Sequence, residues 1–190
     1  MDELILARHA ETAWSGRRFC GRTDLPLTDH GKATAERLGR ELAGSLSVTV
    51  RIVASPWLRA RQTAAAIVAA GVAAGYVVDG RWAETDFGAA EGMTWDELVR
   101  AFPEVAARLL RRDASIDWPR GEAVAALHAR VEAAWRDLTE QHGSVVVVSH
   151  GGPLRIAIAL ATAVATASVA VPDPGAVWRW NRDPVLRFPA

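Results

Sequence analysis

The chain has 190 residues, half of them apolar, and its 22 basic and 22 acidic side chains give a formal net charge of zero. That length and composition predict one domain over residues 1–190 with a sizeable core, and they set aside a disordered chain. The neutral balance excludes the strong basic excess of a nucleic-acid binder and gives no reason to expect a membrane-surface partner. Cys20 is the single cysteine, so no internal disulfide can form, which fits a reducing cytosol. Asp2 and Glu3 stand where a secretory leader would be basic. The uncharged stretch 156–171 falls short of the ~20 residues of a spanning helix. These features predict a soluble, cytoplasmic protein.

Residues 4–7 read as a short buried strand, and residues 31–46 show helical spacing, with Ala35, Leu38 and Leu42 on one stripe. A second strand is expected over 48–54. A helix should then run to about residue 70, with Ser55 as N-cap, Pro56 at its first position and Gly71 as its stop. Tyr76, Val77 and Val78 suit a short strand. Thr94 and Glu97 have the spacing of a capping box, and Pro103-Glu104 opens a further short helix. A long helix is predicted over about 121–141, ended by Gly143. The unbroken valines 145–148 read as a strand buried on both faces, and a helix follows Gly151-Gly152. Segments 169–171 and 176–180 read as an edge hairpin around Pro172 to Gly175, and 184–188 as one more strand. This alternation predicts an α/β fold: a three-layer α/β/α sandwich with a mostly parallel sheet, helices on both faces and an antiparallel edge.

Three of these strands end unusually. The first ends on Arg8-His9, the second on Ser55-Pro56 with Arg59 one turn later, and the valine strand on Ser149-His150. In an open parallel sheet the carboxyl ends of the strands form the ligand crevice. If the three strands are neighbours, Arg8, His9, Arg59 and His150 converge. Two guanidinium groups and two imidazoles supply a dense set of N–H donors that suits a phosphoryl group. Helix N-termini after Ser55 and His150 would add favourable dipoles.

At this point the sequence resembles a known family. RHAET resembles the RHGET signature of the histidine phosphatase, or phosphoglycerate mutase-like, superfamily. FCGRTDLPLTDHG, SPWLRARQTA, ETDFGAAEGMTWDEL, RGEAVAALHARV and VVSHGGPLR are similar to five further blocks of that family, in the same order. Six ordered blocks make the match specific.

The resemblance implies that His9 is a nucleophile that takes the phosphoryl group and passes it to water, dividing one hard step into two. It implies that Arg8, Arg59 and His150 hold the phosphoryl oxygens, with Arg59 preferred to Arg61 because the family arginine directly precedes alanine. It implies that Glu84 protonates the leaving oxygen and later takes a proton from water, a role that calls for burial around the carboxyl. Asp86 and Glu91 are the rival carboxylates: Asp86 should alternate away, and Glu91 reads as structural or a rim residue. Gly151, Gly21 and Cys20 map to the substrate pocket, with Cys20 near its mouth and otherwise a small half-buried residue. Arg22 either contacts the far part of a substrate or points to solvent. Two departures stand out. Ala10 replaces the usual glycine after the nucleophile, and should fit where φ is negative. Ser15 replaces the usual asparagine and should be a weaker phosphate contact.

Only about 37 residues separate Glu84 from Gly121-Glu122, whereas the mutases resembled here carry an insertion after the catalytic glutamate. The expected function is therefore a metal-independent phosphomonoesterase acting on a small-molecule phosphate ester, similar to α-ribazole phosphatases. A cofactor-dependent phosphoglycerate mutase or a catalytically weak phospho-ligand binding protein are the alternatives. No cofactor and no metal are implied, since no H-E-x-x-H spacing is present and His30, His128 and His142 read as surface residues. Substrate choice should lie in residues 90–120, where Trp95, Phe102 and Trp118 either form an apolar wall or simply pack. The tail could mediate a homodimer.

Overall fold

The valines of the 145–148 run alternate in direction, and this alternation sets the two faces of the sheet. The structure, a computed structural model, describes residues 3–46, 50–111 and 116–181. Five strands, β1 (Glu3–Arg8), β2 (Arg51–Ala54), β3 (Val77–Val78), β4 (Val145–Ser149) and β5 (Val177–Asn181), form one sheet in the order β3-β2-β4-β1-β5. The first four are parallel, and β5 runs antiparallel to β1. On one face Leu4, Leu6, Val145 and Val147 pack with Leu127 and Val131 of α5 (Val124–Thr139) and Leu154 of α6 (Gly151–Thr162). On the other, Ile5, Ala7, Val146 and Val148 pack with Leu38 and Leu42 of α1 (Asp29–Ser45) and Ala60, Ala64 and Ile67 of α2 (Leu58–Ala69). Each such valine, leucine or isoleucine side chain contributes about 1.5–3 kcal/mol when fully buried. The result is the α/β/α sandwich that the strand–helix alternation predicts.

Two short helices, α3 (Trp95–Ala101) and α4 (Pro103–Leu110), stand apart with their own small core of Ala90, Leu98 and Ala106. The Thr94–Glu97 capping box forms in both directions and starts α3. Among the described residues no helix is long and apolar enough to cross a membrane.

Four elements depart from the sequence reading. Helix α2 begins at Leu58, not at Pro56, because the Ser55 hydroxyl is engaged by His150 and the Leu58 N–H is bound instead by the Asp24 carboxylate. Helix α5 begins at Val124, because the Gly121 N–H closes a turn onto Trp118 and Glu122 is held by Arg130. The second strand starts at Arg51; residues 47–49 lie outside the described residues. The edge hairpin does not form. Strand β5 pairs with β1, burying Trp178, while Arg155 and Arg8 take the carbonyls of Val169 and Pro172. The strand expected over 184–188 lies outside the described residues.

Candidate active site

Strands β1 and β4 are parallel neighbours in register, with Arg8 opposite Ser149. The next residues, His9 and His150, therefore leave the sheet side by side. The chain turns from β1 toward α1 on one face and from β4 into α6 on the other, so a crevice opens between them at the strand ends. The two ring centroids lie 5.0 Å apart at an interplanar angle of 56°. Both side chains are buried, at 5% exposure for His9 and 0% for His150.

The His9 ring is set by its own loop. Its Nδ1 lies 2.7 Å from the Ala10 carbonyl, which can only accept, so Nδ1 carries the hydrogen and Nε2 keeps its lone pair. Burial, aided by the charges of Arg59 and Arg8, holds the imidazole well below the usual histidine range. A neutral ring with an open Nε2 is the nucleophilic form. Ala10 is accommodated: its φ is not positive, it is fully buried, and its N–H donates to Thr63 Oγ1 at 3.1 Å.

His150 is held by two partners. Arg59 Nε donates to its Nδ1 at 3.2 Å, and its Nε2 lies 2.6 Å from Ser55 Oγ. The neutral ring then carries its hydrogen on Nε2 and donates to Ser55. Burial and the adjacent Arg59 push its basicity well down too. Arg59 stands fully buried behind the rings rather than on the cleft wall. Its Nη1 donates to Thr23 O at 2.8 Å, and its Nη2 to Cys20 O at 3.1 Å and Gly21 O at 2.8 Å. With the Nε bond, four of its five N–H donors are engaged. The sequence expectation put those donors on phosphoryl oxygens; in the structure they brace a loop and a ring, and what Arg59 offers the crevice is its charge.

That loop is gripped from its other side by Glu91. Its carboxylate accepts from Gly21 N at 3.0 Å, Arg22 N at 3.3 Å and Thr23 N at 3.0 Å. Gly21 has no room for a side chain, since a Cβ there would stand 2.2 Å from Thr85 O. Gly21 is thus buried within the loop, and Arg22 points outward, 69% exposed and paired with Asp86 at 3.2 Å; neither lines the cleft.

Glu84 lines the same cavity as His9, at 8% exposure, whereas His150, expected from sequence to hold phosphoryl oxygens, is fully buried behind it with both ring nitrogens engaged by Arg59 and Ser55. Its Oε1 accepts from Thr85 N at 2.9 Å and from Gly152 N at 3.2 Å. A Cβ at 152 would lie 2.7 Å from that same oxygen and from Thr85 Oγ1, so a side chain there would have to displace the Glu84 carboxylate. The segment carrying Glu84 is fixed by Arg130, which donates to Arg81 O and Ala83 O at 2.7 Å and pairs with Glu122 at 2.7 and 2.9 Å. Ser149 Oγ adds a bond to Trp82 O at 2.7 Å. Asp86 turns away to cap Gly88 N at 2.9 Å.

Arg8, His9, Ser15, Cys20, Glu84 and Gly151 share one cavity of about 560 Å³. Arg8 donates through Nη1 to Pro172 O, while its buried Nε has no protein partner. Helix α6 aims its N-terminus into the same space. Gly152 N–H serves Glu84, Pro153 has none and Leu154 N–H closes onto His150 O. Among the described residues this leaves the Gly151 N–H as the open first-turn donor. The Ser15 hydroxyl lies within its own turn, 2.9 Å from Thr12 N. The Cys20 thiol contacts Thr23 O at 3.6 Å, and burial raises it from the usual thiol range. Trp118 lines the cavity, Phe102 packs beside α3 and α4, and Trp95 is exposed. His128, read from sequence as a surface residue, is half-buried on the cavity wall. Among the described residues no group of three or more His, Cys, Asp or Glu side chains is placed to hold a metal ion.

Sequence reasoning missed Ser55, Gln62, Thr63 and Arg130. Gln62 accepts from Leu27 N at 2.8 Å, and Thr63 joins Ala10 to α2. The signal available was spacing: Arg59, Gln62 and Thr63 share one helical face.

Comparison with known proteins agrees with this geometry. Residues 4–172 match the model of the histidine phosphatase superfamily (branch 1). The chain is 33% identical over 159 residues to phosphoserine phosphatase 1 of Hydrogenobacter thermophilus, covering 82% of this chain and 74% of that one. It is 33% identical over 154 residues to a probable phosphoglycerate mutase of Klebsiella pneumoniae, covering 80% and 70%. Among solved structures, a mycobacterial glucosyl-3-phosphoglycerate phosphatase complexed with VO3 superposes with a TM-score of 0.83 at 25% identity, covering 94% and 90%. A crevice built on two strand-end histidines, in a chain that matches along most of its length, places this protein in the histidine phosphatase superfamily, whose members include phosphatases and phosphoglycerate mutase-like proteins.

Proposed function

We propose that the protein is a phosphomonoesterase that works through a phosphohistidine on His9, with Glu84 as general acid and base. The observation that carries this reading is the His9 ring: neutral, tautomerically fixed by Ala10 O, and open at Nε2 toward the cavity that Glu84 also lines. In the first step Nε2 forms a bond to phosphorus as the ester P–O bond breaks. Glu84 gives its proton to the departing alkoxide. The positive charge left on the imidazole is held by the Nδ1–H bond to Ala10 O. In the second step water attacks phosphorus, its proton passes to the Glu84 carboxylate, and the P–N bond breaks to release phosphate and the neutral ring. The Arg8 guanidinium, which lines the cavity, and the Gly151 N–H stand ready for the non-bridging oxygens. Positioning and electrostatics of this kind supply most of the catalysis in phosphoryl transfer.

Hydrolysis is favoured over return of the phosphoryl group because the cleft beyond Arg8 presents few cations uncommitted to the protein. Arg18 bonds Gly92 O and Glu97, and Arg155 holds Thr166 O and Val169 O. The test is rapid alkaline quenching with a 32P-labelled ester. A base-stable, acid-labile protein-bound label should appear in the native chain and be absent from His9→Asn, with turnover unaffected by EDTA. A label that persists in His9→Asn, or turnover lost in EDTA and restored by a metal, would overturn the mechanism.

A further inference from the structure

Outward from His9, the cavity wall changes character. Phe19, Phe87 and Trp118 meet edge to face or tilted, with centroids 4.7–5.4 Å apart, and all three line the cavity that holds His9 and Glu84. Ile116, Leu127 and Ile156 line it as well, each at 8% exposure or less. The charged groups on this wall are already paired or satisfied. Arg18 pairs with Glu97, the Arg155 guanidinium holds two carbonyls, and His128 stands 3.9 Å from Glu132. Glu84 is the one carboxylate among the described residues lining the cavity.

We propose that the group esterified to the phosphate is an aromatic or extended apolar alcohol, seated against Phe19, Phe87 and Trp118. This rests on the phosphomonoesterase reading for the identity of the anionic end, and it deepens that reading by naming the substrate class. A substrate ammonium would find no carboxylate on the wall other than the catalytic one. A substrate carboxylate would have to compete with protein acceptors for Arg18 or Arg155. An aromatic ring meets neither obstacle and gains contact with a prearranged aromatic cluster. The cavity, at about 560 Å³, also exceeds what a three-carbon polar ester would fill.

The test separates binding from turnover. Calorimetry with two non-hydrolysable probes, 3-phenylpropylphosphonate and 2-carboxyethylphosphonate, should show the phenyl compound binding about 100-fold more tightly, as burial of one ring predicts. Trp118→Ala should shrink that gap to roughly tenfold. Since Trp118 also packs beside α3 and α4, Trp118→Leu keeps an apolar side chain in part of that space and should narrow the gap in the same direction. Equal affinities for the two probes, or a gap unchanged in a folded Trp118 variant, would overturn the inference. In parallel, 3-phenylpropyl phosphate should be hydrolysed with a higher kcat/KM than O-phosphoserine, both being primary alkyl esters. Hydrolysis of neither ester would count against the phosphatase reading, and the phosphonate comparison would still decide which group the wall prefers.

Discussion

The two ends of the cleft are built by different rules. At the inner end the histidines follow strand termini, and the reacting side chains are buried and fixed by hydrogen bonds to the backbone or to one another. His150 is fixed by Arg59 and Ser55, Glu84 by Thr85 and Gly152, and the 20–23 loop by Glu91 in front and Arg59 behind. At the outer end the rings of Phe19, Phe87 and Trp118 are half-buried and rest on a small core of their own, outside the sheet. The contrast teaches a division of labour. On the reading proposed above, chemistry sits where the sheet enforces geometry, and recognition of the alcohol sits on an appended wall that can change without disturbing the histidines. Substitutions at the inner end should therefore lower turnover of every ester alike, and those at the outer end should change the ranking of esters.

Glu84 tests the boundary between the two, because its effect depends on the leaving group yet arises at the inner end. Glu84→Gln keeps the size and the Thr85 and Gly152 contacts but cannot deliver a proton. With 3-phenylpropyl phosphate, whose alkoxide needs that proton, kcat should fall by about 10²–10⁴-fold. With 4-nitrophenyl phosphate, whose phenolate leaves unaided, the fall in the phosphorylation step should be about tenfold or less. Pre-steady-state measurement on both esters reads the difference, and equal losses would remove Glu84 from the acid role.

The inner end was legible in the sequence far more than the outer. An apolar run ending on Arg8-His9 and a valine run ending on Ser149-His150 carry both the strand and the site, because a parallel strand delivers its next residue to the crevice. The order of the strands was not legible; only their pairing shows that β4 lies between β1 and β2. The loop contacts of Arg59 were not legible for a related reason. Sequence shows the charge and its helical position, but the carbonyls of Cys20, Gly21 and Thr23 that absorb its donors come from a loop far away in the chain. The missing hairpin belongs to the same class of error. Residues 169–171 have strand-like composition, yet the open edge of β1 was the better partner for β5, and tertiary pairing outweighed local propensity. Of the wall, Trp118 alone was singled out beforehand as a candidate; the contribution of Phe19 and Phe87 required three distant segments to meet.

Glu91 sharpens the comparison at intermediate size. Its carboxylate meets three successive N–H groups, and an amide in its place turns an NH2 toward them. Glu91→Gln should cost about 1–3 kcal/mol of stability, read from denaturant midpoints. As a positioning residue it should also act through Arg59 on His150. We expect kcat to fall about tenfold for both esters with KM little changed, and the His150 ring signals to titrate at higher pH than in the native chain as the charge of Arg59 moves away. A stability loss with native kcat and an unchanged His150 titration would make Glu91 a purely structural grip.

The smallest effect is on stability against pH, and it isolates the inner end from the outer. Both His9 and His150 are held well below the usual histidine range by burial and by Arg59. The folded chain therefore stays unprotonated at these rings while the unfolded chain takes up protons below about pH 6.5. The unfolded state then binds more protons, so stability falls as pH drops through that window and levels off only at the lowered folded values. Between pH 6.5 and 5.5 the two rings together should remove about 2 kcal/mol, seen as a falling urea midpoint at constant slope. His9→Asn should remove about half of this dependence, whereas Trp118→Leu, at the outer end, should leave it intact. A midpoint flat across that range would mean that both rings take up protons in the folded protein, and a cationic His9 would have no lone pair to offer phosphorus.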